Sequence, residues 1–146
     1  PFQLPQFTQV LPQVADFAAE RHIRVGVEHF PGKALPTAAG TLDWLADLNH
    51  PNLYLLLDTG HLLAANEPIL PFAEALADRI GLVHLRDQQG AKPVPFGQGD
   101  LPFADLLGIL NNADYQGSLV IELEDVDWAE PLPAVIAARE YVENLL

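Results

Sequence analysis

Four apolar segments of this chain each end in a residue that can bind a metal or move a proton. They read Arg24-Val-Gly-Val-Glu28, Leu53-Tyr-Leu-Leu-Leu-Asp58, Gly81-Leu-Val-His84 and Ser118-Leu-Val-Ile-Glu122. Two glutamates, one aspartate and one histidine form an oxygen-rich donor set with a single imidazole. Such a set suits Mn2+, Mg2+ or Co2+ better than a structural zinc site. Glu28 and Glu122 could also take and return protons as general base and acid. A single acid at a strand end is an ordinary solvated group. Four chemically competent residues at equivalent positions are a different matter if the fold gathers them.

The intervening sequence shows how it could. Residues 7–22 carry a helical stripe of Val10, Leu11, Val14, Phe17 and Ala18, with Pro12 tolerated in a first turn. Residues 23–30 read as a strand, broken by Pro31-Gly32. Thr37 is an N-cap for a helix to residue 48, and 49–52 form a turn. The apolar run 53–58 fits a strand buried on both faces, and 59–68 a loop with at most a short helical turn. A helix over 69–79, a strand over 81–85, a long polar loop over 86–101 and a helix over 101–112 follow. The chain closes with a strand over 118–123 and a helix over 131–145. Alternation of this kind predicts a parallel α/β sheet with right-handed crossovers. In a parallel sheet all C-terminal strand ends share one face, where such folds build their sites. Strand parity places Glu28, Asp58 and Glu122 opposite the aliphatic rows Ile23/Val25/Val27, Leu53/Leu55/Leu57 and Leu119/Ile121/Leu123. The alternation is less clear in the short third strand, where His84 shares a side with Leu82 and Arg86. Glu124 shares the parity of Glu122 and is the alternative ligand; Glu122 is preferred because it lies deeper.

Composition narrows the classes. A length of 146 residues with 49% hydrophobic content is that of one globular domain with a core. The formal charge of −13 opposes phosphate backbones and anionic membranes, so neither nucleic acid nor a membrane is an expected partner. The chain has no cysteine, which rules out disulfides and thiolate sites and fits a cytoplasmic, reducing setting. No apolar run long enough to span a bilayer and no signal-peptide pattern is present. The opening at Pro1, without Met, points to a fragment or a processed chain.

The ordered motifs carry a resemblance. Val27-Glu28-His29, Leu57-Asp58-Thr59-Gly60-His61 and Val83-His84-Leu85-Arg86-Asp87 come first, then Pro95-Phe96-Gly97-Gln98-Gly99-Asp100 and Tyr115-Gln116-Gly117 before Val120-Ile121-Glu122. In this order and spacing the sequence resembles the C-terminal half of a xylose isomerase-like (β/α)8 TIM barrel, in the sugar phosphate isomerase/epimerase group. The resemblance covers nearly the whole chain. It implies that residues 1–146 are a single partial TIM-barrel domain supplying strands five to eight. It implies metal ligands Glu28, Asp58, His84 and Glu122, with substrate contacts from His61 and Arg86. It further implies a divalent cation, Mn2+ or Mg2+ with Co2+ an option, and a small sugar, polyol or keto-acid substrate. Four strands alone leave two open edges, so a missing N-terminal half-barrel or an association of two halves is expected.

The expected function is a metal-dependent isomerase or epimerase that moves a proton at the carbon next to a carbonyl, with Glu28 and Glu122 as the catalytic pair. A keto-polyol dehydratase or lyase on the same site is the first alternative, and a non-catalytic barrel fragment or binding module the second. A nuclease resembling endonuclease IV is disfavoured, since it needs more histidines and a basic face. Other candidates have plainer readings. His29 is expected in packing or loop structure, and His22 and His50 in solvent. Asp87 is expected to orient the long loop or pair with a base rather than bind metal, and Trp44 and Trp128 to pack in the core or rim. Gly97-Gln-Gly99 is read as turn chemistry, and Asp125, Asp127 and Glu130 as a solvated acidic run.

Overall fold

A computed structural model describes residues 4–30, 37–123 and 128–146. Its frame is a parallel four-stranded sheet in the order β1 (Val25–Glu28), β2 (Leu53–Asp58), β3 (Ile80–Leu85), β6 (Ser118–Ile121). Helices connect the strands: α1 (Leu4–Ala19) precedes β1, and α2 (Ala38–Leu48) joins β1 to β2. Helices α3 (Thr59–Ala64) and α4 (Ile69–Leu76), with a 3-10 turn at Ala77–Arg79, join β2 to β3. A small antiparallel hairpin of β4 (Gln88–Gln89) and β5 (Lys92–Pro93), followed by α5 (Phe103–Asn112), leads to β6, and α6 (Pro131–Glu143) ends the chain.

The parity read from the sequence sets the two faces of this sheet. Val27, Leu53, Leu55, Leu57, Val83 and Leu85 are buried against the helices. They meet Leu11 and Ala15 of α1, Leu45 of α2, Phe72 and Leu76 of α4, and Leu106 and Leu110 of α5. Each large aliphatic side chain buried there is worth about 1.5–3 kcal/mol of transfer free energy. The opposite face is open. Gly26 is exposed, Tyr54, Leu56 and Leu82 are half-buried, and Val120 keeps 38% of its surface. Arg24, Gly26, Tyr54, Leu56, Gly81 and Leu82 line a concavity of about 380 Å³ on it. Below it Tyr115 donates its hydroxyl to the Ser118 carbonyl at 2.9 Å. Burial pushes this phenol up to about 12, against the opposing pull of Arg24 and a backbone bond at Val83.

A β-bulge at the start of the third strand takes Ile80 out of the alternation. Leu55 pairs with Ile80 but Leu56 pairs with Leu82, so Gly81 is an extra residue on β3. Without the bulge Ile80 would share a face with Leu82 and His84. With it Ile80 turns into the helical core, 5% exposed, while His84 stays on the open face. Gly81 is suited to the position because a Cβ there would come within 2.7 Å of the Tyr54 Cβ.

Several boundaries differ from expectation, each for a local reason. Helix α1 extends back to Leu4, which puts Pro12 inside it rather than in its first turn. Its stripe is also wider than its partner: Leu11, Ala15 and Ala18 are buried, while Val10, Val14 and Phe17 are exposed. Strand β1 is shorter than 23–30, and β6 stops at Ile121. Thr37 caps α2 as predicted, accepting from the Gly40 amide at 3.1 Å. The segment expected to be mostly loop after Asp58 is helix α3, and the loop over 86–101 contains the β4–β5 hairpin. His50 is half-buried rather than solvated: it lies 3.1 Å from Asp16 and accepts from the Asn52 amide at 3.1 Å. Glu124, Asp125 and Asp127 lie outside the described residues.

Candidate metal centre

Asp58 ends β2 and begins α3. Its Oδ1 accepts from the His61 amide at 2.9 Å, as an N-cap does, which fixes one carboxylate oxygen and starts the helix. Its Oδ2 faces His61 Nδ1 and His84 Nδ1, each at 3.8 Å, and Arg86 Nη1 at 3.4 Å. The Asp58 side chain has no exposed surface. The ladder places His84 directly across from Asp58 and pairs Glu28 with Leu56, one same-face step earlier. Glu122 follows the end of β6, its amide donating to Leu85 O at 3.1 Å. The four residues thus climb the staggered ends of adjacent strands, with the two glutamates at the outer strands and Asp58 and His84 between them.

The structure brings three of them together and sets the fourth, Glu122, beside His84. Glu28, Asp58 and His84 each offer a ligand atom, all within 4.8 Å of one another. Donors bound at about 2.1–2.4 Å can lie up to about 4.8 Å apart across one ion, so this spread permits common ligation. Glu122 Oε2 stands 2.8 Å from His84 Nδ1. That is close to the roughly 3 Å between adjacent ligands on an octahedral ion with bonds of about 2.1 Å. The donor chemistry agrees with a hard divalent cation. With the carboxylates ionised and the imidazoles neutral, three carboxylates and the Arg86 guanidinium leave two negative charges, which such a cation cancels. The residues present fit the ion.

His61 sits at the edge of this group, on the first turn of α3. Its Nδ1 lies 3.0 Å from the carbonyl oxygen of His29, an atom that only accepts, so Nδ1 carries the proton. In the neutral imidazole Nε2 is then the ring's acceptor. Glu28 Oε1 is 3.5 Å from the same Nδ1, and the Phe30 ring tilts against the imidazole at 4.2 Å. His29 is buried, as its parity predicts, with Nε2 3.8 Å from Glu67. Arg86 is 5% exposed and held among Asp58, Gly60 and Gln88. Thr59 and Gln88, both buried at the strand ends, were not evident as site residues from the sequence. Thr59 Oγ1 accepts from the Arg86 amide and donates to the Arg86 carbonyl, both at 2.8 Å, tying the ends of β2 and β3.

Asp87 organises the long loop. Its Oδ2 accepts from the amides of Gly97 at 2.8 Å and Gly99 at 3.0 Å, and its Oδ1 from Leu101 at 3.2 Å. Gly97 takes a positive φ of 82°, the turn chemistry expected of Gly97-Gln-Gly99. Trp44 is core, stacked on Phe7 and donating to Thr8 Oγ1 at 2.8 Å. Trp128 lines a groove with Phe96, Leu123 and Ala134.

Known proteins place this architecture. The xylose isomerase-like TIM barrel family matches residues 3–145, and the chain belongs to that family. It is 31% identical over 156 aligned residues to an inosose dehydratase of Clostridium perfringens, covering 92% of this chain and 52% of that protein. An inosose dehydratase 1 of Bacillus cereus is also 31% identical, with the same coverage. The chain therefore spans about half the length of the relatives it matches. A xylose isomerase-like TIM barrel protein from Mycobacterium smegmatis, solved with magnesium, superposes with a TM-score of 0.82 at 17% identity, over 99% of this chain and 52% of that one. A D-allulose 3-epimerase from Methylomonas sp. superposes with a TM-score of 0.79 at 24% identity, over 95% of this chain and 54% of that one. The fold is thus a partial TIM barrel. Among the described residues no helix is long and apolar enough to cross a membrane.

Proposed function

We propose that this chain carries the metal-binding half of an enzyme that removes a proton from the carbon beside a carbonyl in a sugar-like or polyol ketone. The convergence of Glu28, Asp58 and His84 at the strand ends, with Glu122 against His84, is the observation that carries this reading. Glu28, Asp58, His84 and Glu122 would hold a divalent cation, Mn2+ or Mg2+. When bound, it supplies a Lewis acid that polarises the carbonyl and stabilises negative charge on its oxygen. Glu28 and Glu122 approach from the outer strands on either side of Asp58 and His84. One takes the α-proton as general base, and the other delivers a proton to the substrate. His61, with Nδ1–H committed to the His29 carbonyl, turns an accepting nitrogen to a substrate hydroxyl.

Two outcomes follow from the same first step. Return of the proton to carbon gives isomerisation or epimerisation. Protonation of a departing hydroxyl gives dehydration, and the 31% identity to proteins named inosose dehydratase favours that branch. The substrate would be a small cyclic or open-chain hydroxy-ketone. The open sheet face and the exposed apolar residues of α1 and α6 support completion of the barrel by four further strands. The test is to incubate the Mn2+-loaded protein in deuterated water with an inosose and, separately, with a ketohexose. Loss of one water by mass spectrometry marks dehydration, and deuterium uptake at unchanged composition marks isomerisation or epimerisation. Neither product, with wild-type Mn2+ binding demonstrated, refutes the proposed chemistry.

A further inference from the structure

Arg86 has two readings: a substrate-binding cation, as the family resemblance implies, or part of the apparatus that holds the ligands. Its surroundings decide between them. The side chain is buried and lies flat on Gly60, where an added Cβ would meet its Nε and come within 2.9 Å of Cδ and of Cζ. Nη1 reaches Asp58 Oδ2 at 3.4 Å. Gln88 is also buried. With its amide nitrogen donating to the Gly60 carbonyl at 3.0 Å, its amide oxygen accepts from Arg86 Nη2 at 3.3 Å. The backbone of Arg86 is fixed by the reciprocal pair of bonds to Thr59 Oγ1. Among the described residues the guanidinium is thus held by Gly60, Gln88 and Asp58, with Asp58 an acidic partner at 3.4 Å.

We infer that Arg86 is a positioning residue: with Gly60 and Gln88 it forms a strap that holds Asp58 in the rotamer that presents Oδ2 to a divalent cation. The inference rests on the metal-site reading above and deepens it. Asp58 Oδ1 is already spent on the His61 amide, so the carboxylate needs only a second restraint to be fixed about its remaining torsion. Arg86 supplies that restraint from a planar donor fork, which a lysine ammonium does not reproduce. The glycine of Asp58-Thr-Gly-His is then required by the arginine that crosses it. A simple electrostatic role predicts the opposite effect on metal binding, because a cation near Oδ2 repels the incoming ion.

The experiment measures Mn2+ binding to the substrate-free protein by calorimetry or by electron paramagnetic resonance of free Mn2+. It compares wild type, Arg86→Met, Arg86→Lys and Gln88→Leu, with circular dichroism as the fold control. Outer-shell partners of metal ligands typically contribute about 10–100-fold in affinity. Arg86→Met should weaken Mn2+ binding by that order, Arg86→Lys by less, and Gln88→Leu in the same direction. At saturating Mn2+, KM for whichever substrate is turned over should stay near the wild-type value in Arg86→Lys. Unchanged or tighter Mn2+ binding in Arg86→Met overturns the inference, as does a raised KM at saturating metal in Arg86→Lys. If Arg86→Met does not fold, unchanged binding in both other variants overturns it. A wild-type protein that binds no Mn2+ overturns the metal-site reading itself, a result distinct from any difference among variants.

Discussion

Replacing Asp87 tests how the long loop after β3 is held beside the site. Its two oxygens take three backbone amides, those of Gly97, Gly99 and Leu101, and the side chain is buried. In Asp87→Asn the best orientation keeps the carbonyl oxygen at the Oδ2 position, where it retains Gly97 and Gly99. The new NH2 then faces the buried Leu101 N–H, donor against donor. One charge-assisted bond is lost, two become neutral, and one buried amide is left without an acceptor. Bonds to charged groups are worth about 1.5–3 kcal/mol, and an unsatisfied buried group costs about 1–3 kcal/mol. Because these effects overlap, a net loss of about 2–4 kcal/mol is expected. For a chain of this size that lowers Tm by roughly 4–16 °C.

The assay is calorimetry joined to amide hydrogen exchange. Exchange at Gly97, Gly99 and Leu101 should accelerate more than at core strand positions such as Leu55 and Val83, because the loop opens before the sheet does. Asp87→Ala, which removes all three acceptors, should be worse than Asp87→Asn. An unchanged Tm in Asp87→Asn, with these three amides as protected as in wild type, would show that the loop is held by something else. The packing of Phe96 on Phe103 and of Phe103 on Tyr141, each at 5.1 Å, would be the candidate.

Four further outcomes are expected. Glu122→Gln should lower turnover by about 10²–10⁴-fold at saturating metal with little change in Tm, since it removes a possible base while keeping shape; unchanged turnover would remove Glu122 from the catalytic pair. Mn2+ at about 100 times its Kd should raise stability by about 2.7 kcal/mol, and chelation should reverse this; no shift in a protein shown to bind the metal would mean that the ion binds the unfolded chain as well. Tyr115 has a folded pKa raised to about 12 by burial, so its contribution is fully present below about pH 10 and is lost as pH rises through 12. Alkaline melting curves should therefore decline over that window in wild type and less in Tyr115→Phe, and identical curves would refute the assignment. The 146-residue chain studied alone should dimerise, aggregate or bind a hydrophobic dye, because Phe17 at 60%, Leu132 at 69% and Ile136 at 48% exposure join the open sheet face as apolar surface; a cooperatively melting monomer without dye binding would make the half-barrel self-sufficient.

The strands were legible where burial on one face wrote an alternation into the sequence, and illegible where the backbone broke it. Leu53 to Asp58 reads as a strand from its nearly continuous apolar run; leucines 53, 55 and 57 are essentially inaccessible against the helices, while Tyr54 and Leu56 are half-buried on the open face rather than fully buried. β3 was read from Gly81 although it begins at Ile80, because Gly81 is inserted into the ladder there and a bulge shows in sequence only as a glycine. α3 was read only as a short helical turn within a loop, for a different reason. Six residues are too few for periodicity to register or for a helix to nucleate unaided, so it depends on a cap. The β4–β5 hairpin rests on Asp87 and Asp100 reaching backbone amides across the loop, contacts that no local pattern encodes.

The site divides in the same way. Residue type and parity singled out Glu28 and Asp58 as candidates, because a strand end leaves a side chain only two directions to point; His84 rested on its strand-end position and residue type more than on parity. What the pattern does not contain is the second carboxylate oxygen of Asp58. Since Oδ1 caps α3, the residue that offers Oδ2 to the site also sets the helix turn that brings His61 there. The setting of the Asp58 carboxylate and the placement of His61 are then one structural event. Asp58→Asn should separate the two, because its amide oxygen can still accept from the His61 amide while its NH2 cannot serve as an anionic ligand, so metal affinity falls and the His61 amide stays protected. Asp58→Ala should expose the His61 amide to exchange even in the absence of metal. An Asp58→Ala protein whose His61 amide stayed as protected as in wild type would show that α3 forms without its cap. The coupling between helix and site would then be only apparent.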